Sequence, residues 1–266
     1  TVPRGESEVG KPVNRGYWER YELTSQFEGA ERIAKQWDIS REELDAFGKL
    51  SQDRATRAWE EDRFGSQILT IDAPDLGEDG KLAETTHNVS RDEGLRETNL
   101  EALAGLRTNM PEGVHTAGTS SQISDGAAAV LLMTKEKAEE LGVKPMATIV
   151  DSCLVGSDPV LMLTGPIYAT QKLLDDNGLT MDDIDVVEIN EAFASVVLAW
   201  EKELQPDMET VNPNGGAIAI GHPLGGTGAI LLTKAVHELH RADKEYAIVT
   251  MCCGGGLGTG TLIRRS

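Results

Sequence analysis

The sequence predicts an α/β fold, a mixed sheet covered by helices, preceded by a helix-rich loop domain. Beyond residue 115, short apolar runs typical of strands alternate with amphipathic helices, the pattern of a sheet with helices on both faces. Before that point the chain is polar and carries helix-start signals. Glycine is also uneven, because 11 of the 28 glycines lie within 215–260. We therefore expect two parts, a loop domain at 1–114 and an α/β half at 115–266.

The first part is predicted to hold two helices and a surface segment. Ser40 and Glu43 form a capping box, S-x-x-E, which opens a helix. From Leu44 onward, apolar and small residues recur at helical spacing. A shorter helix is expected at 28–37. The stretch 68–97 has a proline, three glycines and many charges, which predicts strands and loops on a surface, typical of a lid or insertion.

The second part is predicted element by element from apolar runs, caps and glycine stops. Thr134 is a candidate N-cap for a helix ending at Gly142, and Pro166 starts a helix that stops at Asn177-Gly178. Further helices are expected after residue 190 and at 228–240, and a short turn at 180–183. The predicted strands are 130–133, 147–150, 186–189 and a hairpin made of 247–251 and 261–263.

Composition excludes several classes of protein. With 25 Lys and Arg against 44 Asp and Glu, the formal net charge is −19, which argues against nucleic acid or an anionic membrane as the main partner. No apolar run reaches the ~20 residues of a membrane span, and the N-terminus has no secretory signal. It begins at Thr1 rather than Met, which indicates a processed or truncated start. Three cysteines without C-x-x-C predict no disulfide framework, so a cytoplasmic location is expected.

Two stretches place polar side chains beside a helix start. Asn190 and Glu191 follow a predicted strand, where helix amide groups and partial positive charge can face a ligand. The alternative is that they only cap the helix, since Asn is a favoured N-cap. His222 lies between Gly221 and Pro223, which leaves little bulk around the imidazole. It suits a base or an oxyanion donor, although a structural histidine is an equal alternative.

Two further stretches combine reactive or hydroxyl side chains with glycine. Cys252 and Cys253 end a predicted strand before Gly254, where backbone amides can converge on a thiol or an oxyanion. The alternative is that both thiols are small buried apolar groups, and a zinc site is disfavoured because adjacent cysteines cannot easily share one tetrahedral ion. The segment 116–126 is rich in Ser, Thr and Gly, which suits either ligand approach or a tight loop.

The glycine-rich stretches do not match nucleotide-binding motifs. The spacing G-x-x-x-x-G occurs from Gly221 to Gly226, but Thr227-Gly228 follows where a P-loop needs Lys and Ser or Thr. Within 254–260 no G-x-G-x-x-G is present. A P-loop or a Rossmann dehydrogenase is therefore disfavoured.

Three motifs in sequence order resemble the C-terminal signatures of the thiolases, the acetyl-CoA acetyltransferase family. They are Asn-Glu-Ala-Phe-Ala at 190–194, Gly-Gly-Ala-Ile-Ala-Ile-Gly-His-Pro-Leu-Gly-Gly-Thr-Gly at 215–228 and Cys-Cys-Gly-Gly-Gly-Leu-Gly at 252–258. The segments 26–34 and 115–133 also match, most closely to actinobacterial thiolases that shorten steroid side chains. The resemblance implies the thiolase fold, with 115–266 as its C-terminal βαβαβαββ half.

The resemblance also implies the roles of the catalytic residues. Cys252 matches the cysteine that moves a proton to or from the α-carbon of acetyl-CoA. His222 matches the histidine that activates the nucleophile and contributes to an oxyanion hole, and Asn190 matches the residue that holds the water completing that hole. The backbone N–H of Gly254 is implied as a donor to a second oxyanion. Such donors stabilise the enolate and tetrahedral intermediate of a Claisen reaction.

For the coenzyme A moiety the family pattern implies Ser121, which matches a serine that contacts the pantetheine arm, and Phe193. Arg96 is offset by one position from the family's adenine and phosphate-binding basic residue. Coenzyme A is a substrate, and no cofactor or metal is expected.

The acylated cysteine of the family, in a Cys-x-Ser-Gly context, has no counterpart, and Cys153 lies in the wrong half. We therefore expect the N-terminal half to be absent and to be supplied in cis or by another chain. The expected activity is thiolytic cleavage of 3-ketoacyl-CoA, or the reverse condensation, in fatty-acid or steroid side-chain β-oxidation. The expected assembly is a homo-oligomer, either dimer or tetramer. The alternative is a catalytically incomplete CoA-binding or assembly subunit.

Overall fold

The computed structural model describes residues 15–77 and 79–266, and its first part is built on capped helices. Four helices lie here: α1 Arg15–Trp18, α2 Gln26–Gln36, α3 Arg41–Glu60 and α4 Leu100–Ala104. The predicted capping box is confirmed, because Ser40 accepts from the amide of Glu43 and Glu43 reaches back to the amide of Ser40. The stripe beginning at Leu44 is buried, as expected.

The predicted surface segment is a β-hairpin. Strands β1 Ile71–Leu76 and β2 Leu82–Val89 pair antiparallel, and most of their side chains are exposed. An exposed hairpin without a covering layer agrees with the polar, glycine-containing sequence of this region.

The second part contains a four-stranded mixed sheet in the order β3-β6-β5-β4. Parallel pairing joins β4 to β5, whereas β6 is antiparallel to both β5 and β3. All four of these strands were predicted from the sequence. Their bounds are β3 Ala147–Gly156, β4 Val186–Ile189, β5 Tyr246–Cys253 and β6 Leu257–Arg265.

Helices connect these strands and cover the sheet. Gly142 and Gly178 both take the left-handed conformation immediately after a helix, which confirms the two predicted glycine stops. The helices are α5 Lys135–Leu141, α6 Gly165–Asn177, α7 Ala194–Leu204, α8 Ala217–Ile220 and α9 Thr227–Arg241.

The core lies on both faces of the sheet because side chains alternate along each strand. On β6, Leu262 belongs to the cluster with α6 and α7, whereas Ile263 packs with α9. On β5, Ile248 and Cys252 share the face of α6 and α7. The prediction of a mixed sheet covered by helices is therefore confirmed.

One predicted strand is wrong. Residues 130–133 form no strand, and Leu131 and Leu132 are 80% and 63% exposed. A strand needs a neighbour to receive its backbone hydrogen bonds. Among the described residues, the segment pairs with neither edge strand of the sheet, β3 or β4. It instead lines a cavity of about 650 Å³ together with the start of β3 and one side of α9.

Strand β3, at one edge of the sheet, carries exposed apolar side chains. On β3, Ile149, Val150 and Leu154 are exposed, the last to 82%. Apolar patches of this kind are rare on isolated domains and indicate a surface that binds another layer. Among the described residues, no helix is long and apolar enough to cross a bilayer.

Candidate active site

The candidate site lies at the carboxyl edge of the two parallel strands. Ile189, the last residue of β4, is paired with Thr250 of β5, and the Asn190 amide donates to the Thr250 carbonyl at 3.1 Å. Cys252 follows two residues later on β5. Because neighbouring parallel strands end at the same edge, Asn190 and Cys252 lie at one end of the sheet.

A second set of backbone hydrogen bonds brings His222 to this edge. The Ser121 amide donates to the Ala192 carbonyl at 3.0 Å, and the His222 amide donates to the Gln122 carbonyl at 2.9 Å. The segment 121–122 therefore connects the residues after β4 to the histidine.

The first turn of α9 lies close to β5. A Cβ placed on Gly228 would lie 3.9 Å from Cε of Met251, the neighbour of Cys252. Three sequence motifs far apart in the chain, together with Ser121, thus meet around one edge of the sheet.

Cys252 is buried on the face of α6 and α7, while Cys253 points to the opposite face and is half-buried. Burial raises the pKa of the Cys252 thiol to about 12, and the neighbouring Cys253 adds to the shift. The thiol is therefore protonated at neutral pH. The alternative interpretation, a small buried apolar group, fits its packing but leaves its place at the strand edge without explanation.

His222 is half-buried and held by its first ring nitrogen. Nδ1 lies 2.7 Å from Oγ1 of Thr227, and among the described residues Nε2 makes no hydrogen bond. Desolvation lowers the pKa of the imidazole below its ordinary value, so the ring is neutral at physiological pH. A neutral imidazole with one free nitrogen can accept a proton.

Asn190 does not cap the following helix, so the capping interpretation is wrong. The N-cap of α7 is Phe193, which makes no side-chain cap. Asn190 is 1% exposed, and neither Oδ1 nor Nδ2 has a hydrogen-bond partner within the described parts of the chain. Buried polar atoms are normally satisfied, so an unpaired carboxamide indicates a place for water or ligand.

Glu191 has a structural role that sequence reasoning missed. Its buried carboxylate accepts hydrogen bonds from Ser51 Oγ at 2.6 Å, Asn212 Nδ2 at 2.9 Å and the Ile218 amide at 3.1 Å. It therefore fixes α8, which leads directly to His222. A carboxylate next to a strand end is the only sequence signal, because its partners lie 21 to 140 residues away.

A buried ion pair supports the start of the same loop. Lys234 Nζ donates to Glu188 Oε2 at 2.7 Å and to the Gly215 carbonyl at 2.5 Å. Glu188 is fully buried, and this desolvation raises the pKa of its carboxyl to about 7 despite the nearby ammonium. Sequence reasoning did not single out either residue.

Gly254 begins the turn between β5 and β6. Gly255 and Gly256 follow with φ of +82° and +85°, which favour glycine. The carbonyl of Gly256 accepts from the Ser157 amide at 2.6 Å and from its hydroxyl at 2.9 Å. The turn that carries the Gly254 amide is thus held from the neighbouring loop.

The remaining predicted residues differ in how close they lie to Cys252, His222 and Asn190. Ser121 is half-buried, and its amide donates to the Ala192 carbonyl beside the candidate site. Arg96 is exposed, and its backbone amide donates to Gln52 Oε1 at 3.0 Å. Phe193 is 4% exposed, and its ring packs in the core against Phe27 and His115. The structure therefore does not bring the Phe193 ring or the Arg96 guanidinium into the set formed by Cys252, His222 and Asn190.

No metal site accompanies these residues within the part of the chain that the structure describes, where no three His, Cys, Asp or Glu side chains are grouped to hold an ion.

The thiolase N-terminal domain model matches residues 6–136, and the thiolase C-terminal domain model matches 143–265. The chain is 48% identical to the steroid 3-ketoacyl-CoA thiolase FadA6 of Mycobacterium tuberculosis, over 91% of this chain and 56% of that protein. It is 43% identical to the 3-ketoacyl-CoA thiolase of Bacillus subtilis, over 86% of this chain and 60% of that protein.

A solved structure shows the same fold. The crystal structure of the Bacillus anthracis acetyl-CoA acetyltransferase superposes with a TM-score of 0.86 at 35% identity, covering 98% of this chain and 70% of that one. The chain spans less than two thirds of the length of the curated relatives described above. Matched by both domain models and by this structure, the chain belongs to the thiolase family.

Proposed function

We propose that this chain carries the proton-transfer and oxyanion residues of an acyl-CoA:acetyl-CoA C-acyltransferase, which cleaves 3-ketoacyl-CoA with CoA and releases acetyl-CoA. Cys252 is the proton-transfer group, His222 activates the nucleophile, and Asn190 and the Gly254 amide support the oxyanions. In this proposal residues 1–114 are the loop domain that covers the ligand. Its described part holds α2, α3, α4 and the exposed hairpin.

The observation that carries the proposal is that the Asn190 amide donates to the Thr250 carbonyl of β5, two residues before Cys252 at the same end of the sheet. A thiol whose pKa is about 12 stays protonated, so it can deliver a proton to the α-carbon of the departing acetyl-CoA enolate. The unpaired carboxamide of Asn190 provides hydrogen-bonding capacity where negative charge develops on oxygen. Preorganised donors of this kind contribute about 3–4 kcal/mol each to transition-state stabilisation.

The substrate proposed is a 3-ketoacyl-CoA of β-oxidation, including CoA esters of steroid side chains. Support comes from the relative named as a steroid 3-ketoacyl-CoA thiolase and from another named as a 3-ketoacyl-CoA thiolase. Ser121 contacts the pantetheine arm in this proposal, and the exposed Arg96 is assigned to the CoA phosphates, whereas Phe193 is left to the core because its ring is buried against Phe27 and His115. No resident cofactor is proposed.

The proposal includes a homo-oligomer in a reducing, cytoplasmic compartment. The three cysteines are free, which agrees with such a compartment. The exposed apolar face of β3 offers a surface for further protein layers.

A second candidate function is a CoA-binding or assembly subunit whose nucleophile comes from another polypeptide segment. One observation favours it: Cys153 is buried on β3 with Sγ against the Ala169 carbonyl at 3.5 Å, and its pKa is raised by burial. It therefore does not offer a second reactive thiol to the site. Mass analysis of the purified material and a search for a companion carrying Cys-x-Ser-Gly distinguish the two candidates.

The test is thiolysis of acetoacetyl-CoA, longer 3-ketoacyl-CoAs and a steroid-side-chain 3-ketoacyl-CoA by the complete natural protein that contains this chain. We expect CoA-dependent release of acetyl-CoA and loss of about 10²-fold or more in kcat for Cys252→Ala. Cys253→Ala is the matched control, because its side chain lies on the other face of β5, and it should retain activity. Absence of cleavage with every substrate, or equal activity of Cys252→Ala, would refute the proposal.

A further inference from the structure

The hydroxyl of Thr227 connects the imidazole of His222 to a backbone carbonyl. Oγ1 lies 2.7 Å from His222 Nδ1 and 3.0 Å from the carbonyl oxygen of Pro223. Thr227 is 3% exposed and is the first residue of α9. Its Oγ1 bonds the carbonyl four residues earlier, a common threonine geometry in helices, so the side chain is held in one rotamer.

These two contacts favour a proton on the Nδ1 nitrogen of the ring. A hydroxyl has one hydrogen, and a carbonyl oxygen has none to give. If Thr227 donates to the Pro223 carbonyl, its oxygen must accept from a hydrogen on Nδ1. In the opposite arrangement Thr227 donates to Nδ1, and two oxygen atoms without a hydrogen between them would face each other at 3.0 Å, which is repulsive.

We propose that Thr227 is a positioning residue that holds His222 in the Nδ1–H tautomer and thereby leaves the Nε2 lone pair free to accept a proton. The hydrogen bond is compatible with both protonation states, because Nδ1 carries hydrogen in the neutral ring and in the imidazolium. His222 can therefore gain and lose a proton at Nε2 without rotation of Thr227. The proposal rests on the proposed function for its catalytic consequence, but the tautomer itself does not.

The first test observes the tautomer directly in the 266-residue chain. Imidazole nitrogen NMR on histidine-labelled protein at pH 8 distinguishes a protonated Nδ1 from a protonated Nε2, and His222→Gln assigns the signal among the five histidines. We expect protonated Nδ1 in the wild-type chain and in Thr227→Ser, which keeps the hydroxyl. Thr227→Val removes the acceptor for Nδ1–H and should shift the population toward Nε2–H.

The second test measures catalysis in the complete natural protein. Thr227→Val should lower kcat roughly 10- to 100-fold with little change in KM, because only the fraction of His222 with a free Nε2 can act as base. Thr227→Ser should restore most of the activity. Circular dichroism of both variants checks that they fold.

The outcomes separate the two proposals. A wild-type His222 protonated on Nε2, or an unchanged tautomer in Thr227→Val, overturns the role of Thr227, and the wild-type measurement decides this even if the variant does not fold. An Nδ1–H tautomer that depends on Thr227, in a protein that cleaves no 3-ketoacyl-CoA, leaves the role intact and refutes the proposed function.

Discussion

The hydroxyl of Ser51 lies 2.6 Å from Oε2 of Glu191, which joins the middle of helix α3 to the residue beside the candidate catalytic Asn190. The same hydroxyl accepts the amide of Gly216 at 3.2 Å. Both residues are buried. The loop that carries His222 is therefore fixed jointly by the helical first part and by the end of strand β4.

Close packing at this network makes Gly216 intolerant of a side chain. A Cβ on Gly216 would lie 2.3 Å from the Glu191 carboxyl carbon, whereas one on Gly225 would have no atom within 4 Å. We expect Gly216→Ala to lower the free energy of unfolding by about 1–3 kcal/mol, because Glu191 must move from its donors. Gly225→Ala, in the same loop, should leave it unchanged or raise it by up to about 1 kcal/mol. Urea denaturation measures both, and equal effects would contradict the prediction.

The buried pair of Lys234 and Glu188 predicts a pH-dependent defect when the cation is removed. Lys234→Met leaves the Glu188 carboxylate buried without its partner and should cost about 3–5 kcal/mol at pH 8. Glu188 already has its pKa raised to about 7, above its value in the unfolded chain, and loss of the ammonium raises it further. A carboxyl group whose pKa is raised by folding stabilises the folded state when it is protonated. This contribution is fully present below the unfolded pKa of ~4.5 and is lost as the pH rises through the folded pKa.

The Lys234→Met variant should therefore gain thermal stability as pH falls from 8 to 5. The double variant Glu188→Leu/Lys234→Met removes both charges, so it should lose less stability than the single variant and show a flatter pH dependence. Thermal melts at several pH values provide the measurement. A single variant whose stability is independent of pH would argue against a buried carboxylate at this position.

The two adjacent cysteines should differ in reactivity. At pH 8 the Cys252 thiol is almost entirely protonated and buried, whereas Cys253 is half-buried. The variant Cys252→Ser keeps Cys253, and the variant Cys253→Ser keeps Cys252. We expect iodoacetamide to label the retained Cys253 about tenfold faster than the retained Cys252. Peptide mass mapping follows each site, and the buried Cys153, present in both variants, serves as internal reference. Equal rates would contradict the raised pKa assigned to Cys252.

Removal of the carboxamide should have different effects on folding stability at Asn190 and at Asn212, although both residues are buried. Asn212 bonds the Ile189 amide and carbonyl, both at 2.9 Å, whereas neither side-chain atom of Asn190 has a hydrogen-bond partner among the described residues. Asn212→Ala should cost about 2 kcal/mol or more of folding free energy. Asn190→Ala should leave the melting temperature unchanged or higher.

The catalytic consequence of Asn190→Ala is expected to be large. Loss of an oxyanion support should lower kcat of thiolysis by roughly 10²- to 10³-fold in the complete natural protein. Retained activity together with a lowered melting temperature would assign Asn190 a structural role instead.

The helices and most of the strands follow from local chemistry. Ser40 and Glu43 identify the start of α3 because both halves of the capping box lie within one turn, and Gly178 identifies the end of α6 because only glycine readily adopts that left-handed conformation. Hairpin and helix periodicities act over a few residues as well. Signals of this range are visible in a single sequence.

The conformation of segment 130–133 and the side-chain networks depend on residues that are distant in the chain. Apolar residues predict a strand at 130–133, but a strand also needs hydrogen bonds to a neighbouring strand, and among the described residues this segment pairs with neither edge strand, β3 or β4. Glu191 was expected to be a cap or a ligand contact, and it instead binds donors from three distant segments. Such pairings depend on how the helices and strands pack, so local sequence patterns do not predict them.

The sequence by itself determined the family, the order of helices and strands, and the residues Cys252, His222 and Asn190 as candidates, since each follows from a contiguous motif. Only the tertiary structure decided that these residues meet at one sheet edge, that Cys252 is buried and protonated, and that Thr227 holds His222. The physical reason is that a thiol's pKa, an amide's lack of partners and a histidine's tautomer depend on the atoms packed around them, and those atoms come from segments remote in the chain.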